Sequence, residues 1–402
     1  MQAESDGTPR AGGPTSGGPT HRASRGLGRS ILCPRNRRLP GYAATMRRLP
    51  LSLVPGASPA GTLAGSDLWA MAPGDFAGRG VGAGAAVFTA LQRPWRWKQG
   101  APDLSPRVLA ELEPLGRATP QIHATERSED GATKLLLRTH GDLIEAVHMP
   151  RDVGTGRVTL CVSSQVGCAL GCSFCATASM GFRRHLSAGE IVAQVLVVLH
   201  ALGPRHPSEL TLVFMGMGEP LHNFEQVARA VEILAMPAGL GVPPRRITVS
   251  TSGLVPQIAE LGALSARPLL AISLNATTDS SRRELMPINR RYPLAELRAA
   301  LERYPLRARE RITVEYVLLD GVNDSVDDAA RLADFCQAFP HHINLIPFNA
   351  HPHAEFRAPS EQSLERFTRA IMEHRRTLVT VRRSRGRDIQ GACGQLVQAT
   401  PA

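Results

Sequence analysis

Between about residues 155 and 395 the chain alternates short apolar runs with longer amphipathic stretches, and no other feature restricts its fold as much. Runs rich in β-branched and aliphatic residues at 158–163, 210–215, 246–250, 269–274, 312–318, 343–347 and 379–381 read as strands. Between them, 188–202, 224–234, 255–263, 294–304, 326–338 and 363–376 carry apolar positions at helical spacing. A strand–helix alternation repeated this often predicts an α/β fold with a parallel sheet, closed into a full or partial barrel. In such barrels the chemistry gathers at the C-terminal ends of the strands. Gly216-Met-Gly-Glu-Pro220, Ser250-Thr-Ser-Gly253, Ser273-Leu274-Asn275 and Asn349 all fall there.

The flanks are different. Residues 72–120 hold only short helical patterns, anchored by Val87, Leu91, Trp95, Val108, Leu109 and Leu112. Residues 120–150 predict a small β-unit, with strands at 134–138 and 142–149 about the His140-Gly141 turn. Together, 72–150 are expected to form an N-terminal accessory domain beside a core of 155–397. Residues 1–70 are rich in Gly, Pro, Ser and Arg without sustained periodicity and are expected to be a disordered basic extension; an over-called start, with Met46 or Met71 as the true beginning, is favoured over a transit peptide.

That extension discounts the charge. The formal net charge is +11, but residues 1–50 contain nine Arg against Glu4 and Asp6, so +7 of it sits there. What remains clusters at Arg366, Arg369, Arg375, Arg376, Arg382, Arg383, Arg385 and Arg387, which suit either a solvated surface or a nucleic-acid grip. No apolar run approaches the roughly 18–20 residues of a membrane span, and the N-terminus has no secretory h-region. A cytoplasmic protein with no membrane partner is expected.

Seven cysteines, an odd number in a long chain without a signal peptide, argue against a disulfide framework. Three of them, Cys168, Cys172 and Cys175, form a C-x3-C-x2-C on a segment that Gly171 and Ser173 mark as a loop. Three thiolates so placed can bind a polymetallic centre; a [4Fe–4S] cube held by three cysteines keeps one iron open. Zinc is the alternative and would want a fourth ligand, for which His185 is available. Cys33 and Cys336 match no motif, and Cys336 follows the helical pattern as a core residue.

The triplet resembles the signature of the radical S-adenosylmethionine (SAM) superfamily. Its context, Cys161-Val-Ser-Ser-Gln-Val-Gly-Cys-Ala-Leu-Gly-Cys-Ser-Phe-Cys-Ala-Thr177, is similar to the adenine-C2 methyltransferases of rRNA and tRNA (the RlmN family) and to their relative, the chloramphenicol–florfenicol resistance methyltransferase. The similarity continues through Phe214–Pro220, 247–253, 270–276, 286–290, 312–320, 343–349 and 385–396, and covers about 120–397 in order. Residues 72–119 match the family's helical accessory domain only loosely.

The resemblance implies a partial (β/α)6 barrel with Cys168, Cys172 and Cys175 as cluster ligands. It implies Gly218 and Glu219 at the methionine end of SAM, and Ser250, Ser273, Leu274, Asn275 and Asn349 at its ribose and adenine; Asn275 stands where many members have His. It further implies that Cys393 carries a methyl group taken from a first SAM, and that a radical derived from a second SAM activates that methyl toward the adenine. Cys161 would then release the RNA, the two cysteines leaving as a disulfide, with Glu145 as the proton acceptor. The implied partners are 23S rRNA, tRNA and a reductant for both cluster and disulfide, and a monomer is expected. Arg183, Arg184, Arg290 and Arg291 join the C-terminal arginines as candidate phosphate contacts. Methylation at C8 and a zinc-dependent RNA-binding module are the alternatives.

Overall fold

The apolar runs pair side by side. In a computed structural model that describes residues 68–77, 84–94, 104–112, 119–151, 157–202, 210–375 and 377–396, they build one sheet of ten strands. The extension up to residue 67, with Cys33, lies outside the described residues, as do Trp95 and Arg376.

Strands β4 (Val158–Cys161), β7 (Leu210–Phe214), β8 (Ile247–Thr251), β9 (Leu269–Ser273), β10 (Ile312–Leu318), β11 (His341–Pro347) and β12 (Val379–Val381) are parallel neighbours in that order. Helices α5 (Ala188–Leu202), α6 (Phe224–Ala235), α7 (Val255–Gly262), α8 (Asp279–Leu285), α9 (Leu294–Glu302), α10 (Val326–Cys336) and α11 (Glu361–His374) connect them. This gives six strand–helix units and a seventh strand, in a ten-strand order whose two ends are different strands: an open, partial (β/α)6 barrel. Central strands alternate side chains between two buried faces, so β7 (Leu-Thr-Leu-Val-Phe) is mostly apolar, while β8 (Ile-Thr-Val-Ser-Thr) turns polar toward its C-terminal end.

Caps set the helix starts. Ser325 Oγ accepts from Asp328 N at 3.1 Å ahead of α10, Ser360 Oγ from Ser363 N at 3.1 Å ahead of α11, and Thr278 Oγ1 from Ser281 N at 3.2 Å ahead of α8. The short, polar α8 escapes a search for apolar periodicity, since Asp-Ser-Ser-Arg-Arg-Glu-Leu carries a single apolar residue. A two-stranded hairpin, β5 (Gln165–Gly167) with β6 (Phe182–His185), and the single turn α4 (Ala176–Ser179) flank the cysteine triplet, and neither was foreseen.

The N-terminal β-unit has three strands rather than two: β1 (Gln121–Arg127), β2 (Thr133–Thr139) and β3 (Asp142–Pro150). Their antiparallel ladder continues through β3–β4 into the parallel sheet, so backbone hydrogen bonds join this unit directly to the first parallel strand. Leu135, Leu137, Ile144 and Ala146 enter the common core on one face of this unit. Short helices α1 (Pro73–Ala77), α2 (Gly84–Leu91) and α3 (Pro106–Leu112) precede it, and Leu68, Trp69 and Ala70 are already buried. Cys336 is fully buried among apolar neighbours, and burial pushes its thiol up. Among the described residues no helix is long and apolar enough to cross a membrane.

Candidate active site

The cysteine triplet occupies a tight loop beyond the C-terminal end of β4. Gly167 ends β5 at φ +74°, and a Cβ there would fall 1.8 Å from the Gly181 carbonyl oxygen, so only glycine lets the two hairpin strands meet. Cys168 N then donates to that same carbonyl at 3.0 Å, Ser173 N to Leu285 O at 3.0 Å, and Cys175 N to Cys172 O at 3.2 Å. These bonds fix the loop without using a thiol.

Burial, the loop's own tight surroundings, pushes Cys168 up to about 12 and raises Cys172 and Cys175 as well. Cys168 and Cys172 each repel the charge of Cys175, and both feel Glu219. Arg282 opposes the rise at Cys172, but its guanidinium is also bound to Leu274 O, Asn289 Oδ1 and Ser252 O, so a trio of thiolates needs further positive charge from a bound group. Among the described residues no three His, Cys, Asp or Glu side chains are grouped so as to hold one metal ion. His185, the candidate fourth zinc ligand, points elsewhere: its Nδ1 lies 3.1 Å from Gln165 Nε2, and its ring packs on His222 and Phe182. The donor set fits a multi-iron cluster, whose irons supply the missing positive charge over a larger body.

Around the barrel mouth the strand-end residues converge. Gly218 has φ +97°, and a Cβ there would sit 2.4 Å from Gln165 Cβ, so glycine is required where the chain turns past that glutamine. Gln165 Oε1 accepts from Glu219 N at 2.8 Å. The buried Glu219 carboxylate accepts from Ser252 N at 2.9 Å, Ser252 Oγ at 2.8 Å and Leu221 N at 3.0 Å. Burial raises its pKa against those three donors.

Ser250 and Ser273 face each other across β8 and β9, their hydroxyls 3.4 Å apart. Asn275 adopts φ +57°, a region that asparagine tolerates. Its Oδ1 accepts from Val317 N at 2.8 Å and its Nδ2 donates to Met286 Sδ at 3.3 Å, so both ends of the amide are engaged within the chain. Leu274 buries its side chain; its N–H donates to Glu315 O and its carbonyl accepts from Arg282.

Cys393 arrives from the far end of the chain on a strapped loop. On one side Asp388 accepts from Ser128 Oγ at 2.6 Å, Asp130 accepts from Gly386 N at 2.8 Å, and Arg385 donates to Pro150 O. On the other, Asn349 Nδ2 donates to Ser384 Oγ and to Cys393 O, both at 3.0 Å. Ala176 N, next to the cluster loop, donates to Gly394 O at 2.7 Å, and Thr177 Oγ1 donates to Leu396 O at 2.6 Å. Asn349 is thus a brace for the Cys393 loop as well as a residue of the mouth.

The result is a cavity lined by Cys161, Cys393, Met149, Met215, Arg382 and Ser384, among others. Burial, then the charge of Cys393, pushes the Cys161 thiol up to about 12, while Arg382 opposes the rise. Arg382 in turn is held up by Cys393 most of all, then by Glu315 and Cys161. Its Nη1 lies 3.8 Å from Glu315 Oε1, and Glu315 Oε2 accepts from Ser250 Oγ at 2.9 Å.

Glu145 is fully buried on β3, its backbone carbonyl accepting from Ser163 Oγ at 2.6 Å and its carboxylate 3.6 Å from Lys134 Nζ. Lys134, Gln165, Arg282 and Glu315 are polar residues about this site to which the sequence gives no role, and Arg382, expected as a surface phosphate contact, instead faces the cysteines. A charged residue inside an apolar strand run, as in Ile-Thr-Val-Glu-Tyr of β10, is the signal that would have found Glu315. The remaining C-terminal arginines disperse: Arg375 pairs with Asp334 and Arg383 with Glu361, while Arg366, Arg369 and Arg387 are exposed.

Comparison with known proteins adds to this geometry. Residues 162–333 match the radical SAM superfamily. A dual-specificity RNA methyltransferase RlmN of Syntrophotalea carbinolica is 50% identical over 299 residues, spanning 73% of this chain and 77% of that protein. The RlmN of Syntrophobacter fumaroxidans is 52% identical over 275 residues, 68% of this chain and 78% of its own. A crystal structure of a radical SAM methyltransferase from Sphaerobacter thermophilus superposes with a TM-score of 0.72 at 41% identity, covering 80% of this chain and 95% of that one.

Proposed function

Because the chain belongs to the dual-specificity RNA methyltransferase RlmN family of the radical SAM superfamily, we propose that it methylates C2 of one adenosine in 23S rRNA and of the adenosine 3′ of the anticodon in tRNAs. Membership of that superfamily carries an iron–sulfur cluster and SAM as cofactors. Cys168, Cys172 and Cys175 would hold the cluster, and Gly218, Glu219, Ser250, Ser273, Leu274, Asn275 and Asn349 border the space for SAM. Bound there, they supply the one-electron chemistry that an adenine ring carbon, too weak a nucleophile for direct displacement, requires.

The single observation that carries the reading is the cysteine pair: Cys161 and Cys393, 232 residues apart, line one cavity with a guanidinium. Cys393 carries the methyl group, its sulfur acting first as a nucleophile beside Arg382, which offsets the charge of a thiolate. Cys161 is the resolving thiol, whose attack on the Cys393 sulfur frees the methylated RNA and leaves a disulfide for an external reductant. Glu145 accepts the proton that the adenine loses. Two SAM molecules are consumed per turnover, one for the carrier and one for the radical. The target base must leave its stack to reach the cavity, and exposed Arg183, Arg290, Arg291, Arg366, Arg369 and Arg387 offer phosphate contacts around it. The reaction is assigned to a cytoplasmic monomer.

Nucleoside analysis of rRNA and tRNA after incubation with the cluster-loaded enzyme tests this. 2-Methyladenosine is the expected product; 8-methyladenosine alone, or no methylated nucleoside, overturns the assignment.

A further inference from the structure

A lysine in a sheet interior demands an explanation, because an ammonium is costly to bury unless paired. The Lys134 side chain, on β2, is 3% exposed. Its Nζ lies 3.3 Å from Glu126 Oε2 on β1 and 3.6 Å from Glu145 Oε1 on β3. The register places this trio with the cysteine chemistry. Glu126 pairs with Lys134, Lys134 with Val147, and Val147 with Cys161, so these four share one face of the sheet. Glu145 and Met149, each two residues from Val147, share it too, and Met149 and Cys161 both line the cavity that holds Cys393. The opposite face is the apolar core of Leu135, Leu137, Ile144 and Ala146.

The two carboxylates differ in their access to water. The Glu126 side chain is 33% exposed and that of Glu145 only 1%. A carboxylate so deeply buried beside no cation takes up a proton, and a base that is already protonated accepts nothing. Lys134 supplies the opposing charge. Glu126 then serves a second need: once Glu145 has received a proton, the buried ammonium still has a carboxylate partner and the row remains balanced.

We propose that Lys134 is a positioning residue of the methyl transfer, its ammonium keeping Glu145 ionised on the cavity face while Glu126 keeps that ammonium paired before and after the proton moves. The adenine C–H bond breaks with its electron pair left in the ring; the proton ends on a Glu145 oxygen and returns to solvent between turnovers. This inference rests on Glu145 being the proton acceptor.

Four variants of the cluster-loaded full chain test it: Glu145→Gln as the reference, Lys134→Met, Lys134→Arg and the double variant Lys134→Met/Glu145→Gln. Lys134→Met is expected to lower kcat at least about tenfold with KM for RNA unchanged, and Lys134→Arg to recover to within about threefold of wild type. Infrared spectra at neutral pH should show a protonated-carboxyl band in Lys134→Met that is absent from wild type and from the double variant. If Lys134→Met does not fold, Lys134→Gln yields the same two measurements. A Glu145→Gln enzyme at full activity overturns the role of Glu145 itself. An inactive Glu145→Gln, together with a Lys134→Met enzyme of wild-type kcat and no new band, overturns the inference about Lys134 alone.

Discussion

Cys168, Cys172 and Cys175 sit on a loop where burial favours the neutral thiol at each, and the neighbouring Glu219 adds to that at Cys168 and Cys172. Cys161 and Cys393 are also enclosed, but an arginine side chain lies in their cavity. The two groups are bridged by backbone bonds such as Ala176 N to Gly394 O, so they share one mouth of the barrel. What differs is the source of positive charge. For the pair the protein provides it through Arg382; for the triplet Arg282 opposes the rise at Cys172, and the rest has to arrive with the irons. A cysteine's duty is thus written less in its burial than in which cation is built beside it.

Substitutions at the sulfurs themselves should split the two regions most sharply. Cys175→Ala is expected to lose iron, sulfide and methyl transfer together. Cys393→Ala should lose methyl transfer to background yet retain full iron content, and loss of its iron would erase the distinction. Cys161→Ala should accumulate RNA covalently bound to protein, and normal turnover in that variant would remove its resolving role.

A smaller effect is expected when the charge alone is removed. Arg382→Met should cut kcat roughly 100-fold, the low end of the range for losing one well-placed donor, with iron content unchanged. Unaltered kcat would mean that the guanidinium merely packs. Smaller again is Gly218→Ala on the cluster side, which forces a Cβ toward Gln165 at φ +97°. A cost of about 1–3 kcal/mol should appear as a lower Tm and weaker SAM binding, while Cys393 and Cys161 stay competent to form a disulfide.

The smallest expected effect is one of pH on the hairpin behind the cluster loop. Burial, and then His222, lowers His185 to about 4 from the usual 6.5. The unfolded chain therefore binds the proton first, so this contribution is intact above about pH 6.5 and fades as pH falls toward 4. His185→Gln should flatten that part of the pH–stability curve; because the ring is partly exposed, the change is modest. A curve unaltered by the substitution would exclude the histidine as its source.

The central strands and helices were legible because a parallel sheet covered on both faces imposes apolar runs of the right length. What escaped lacks that imprint. β5 has three residues and α4 four, α8 has one apolar side chain, and β1 is exposed along much of its length. Likewise Cys168, Cys172 and Cys175 announce themselves by spacing, and Cys161 and Cys393 by the motifs around them. Lys134 and Glu315 do not, because each looks like an ordinary strand residue until the register gives it neighbours. Arg382 read as one arginine among eight; only the turn after β12 distinguishes it by aiming it inward. Asn349 shows the reverse case, a motif residue with a bracing duty that no motif states.

The ladder that joins β3 to β4 and β7 has a kinetic meaning. Glu145 and Cys161 ride on one hydrogen-bonded sheet, so the distance between the proposed base and the proposed resolving sulfur is held nearly constant. Cys393 instead stands on an irregular stretch between Gly386 at φ +68° and Gly394 at φ +82°. In the proposed reaction its sulfur has to visit a donor, an acceptor and a second thiol in turn. The division of labour makes the sheet the anvil and the loop the hammer, and any travel that catalysis demands falls to the stretch from Gly386 to Gly394.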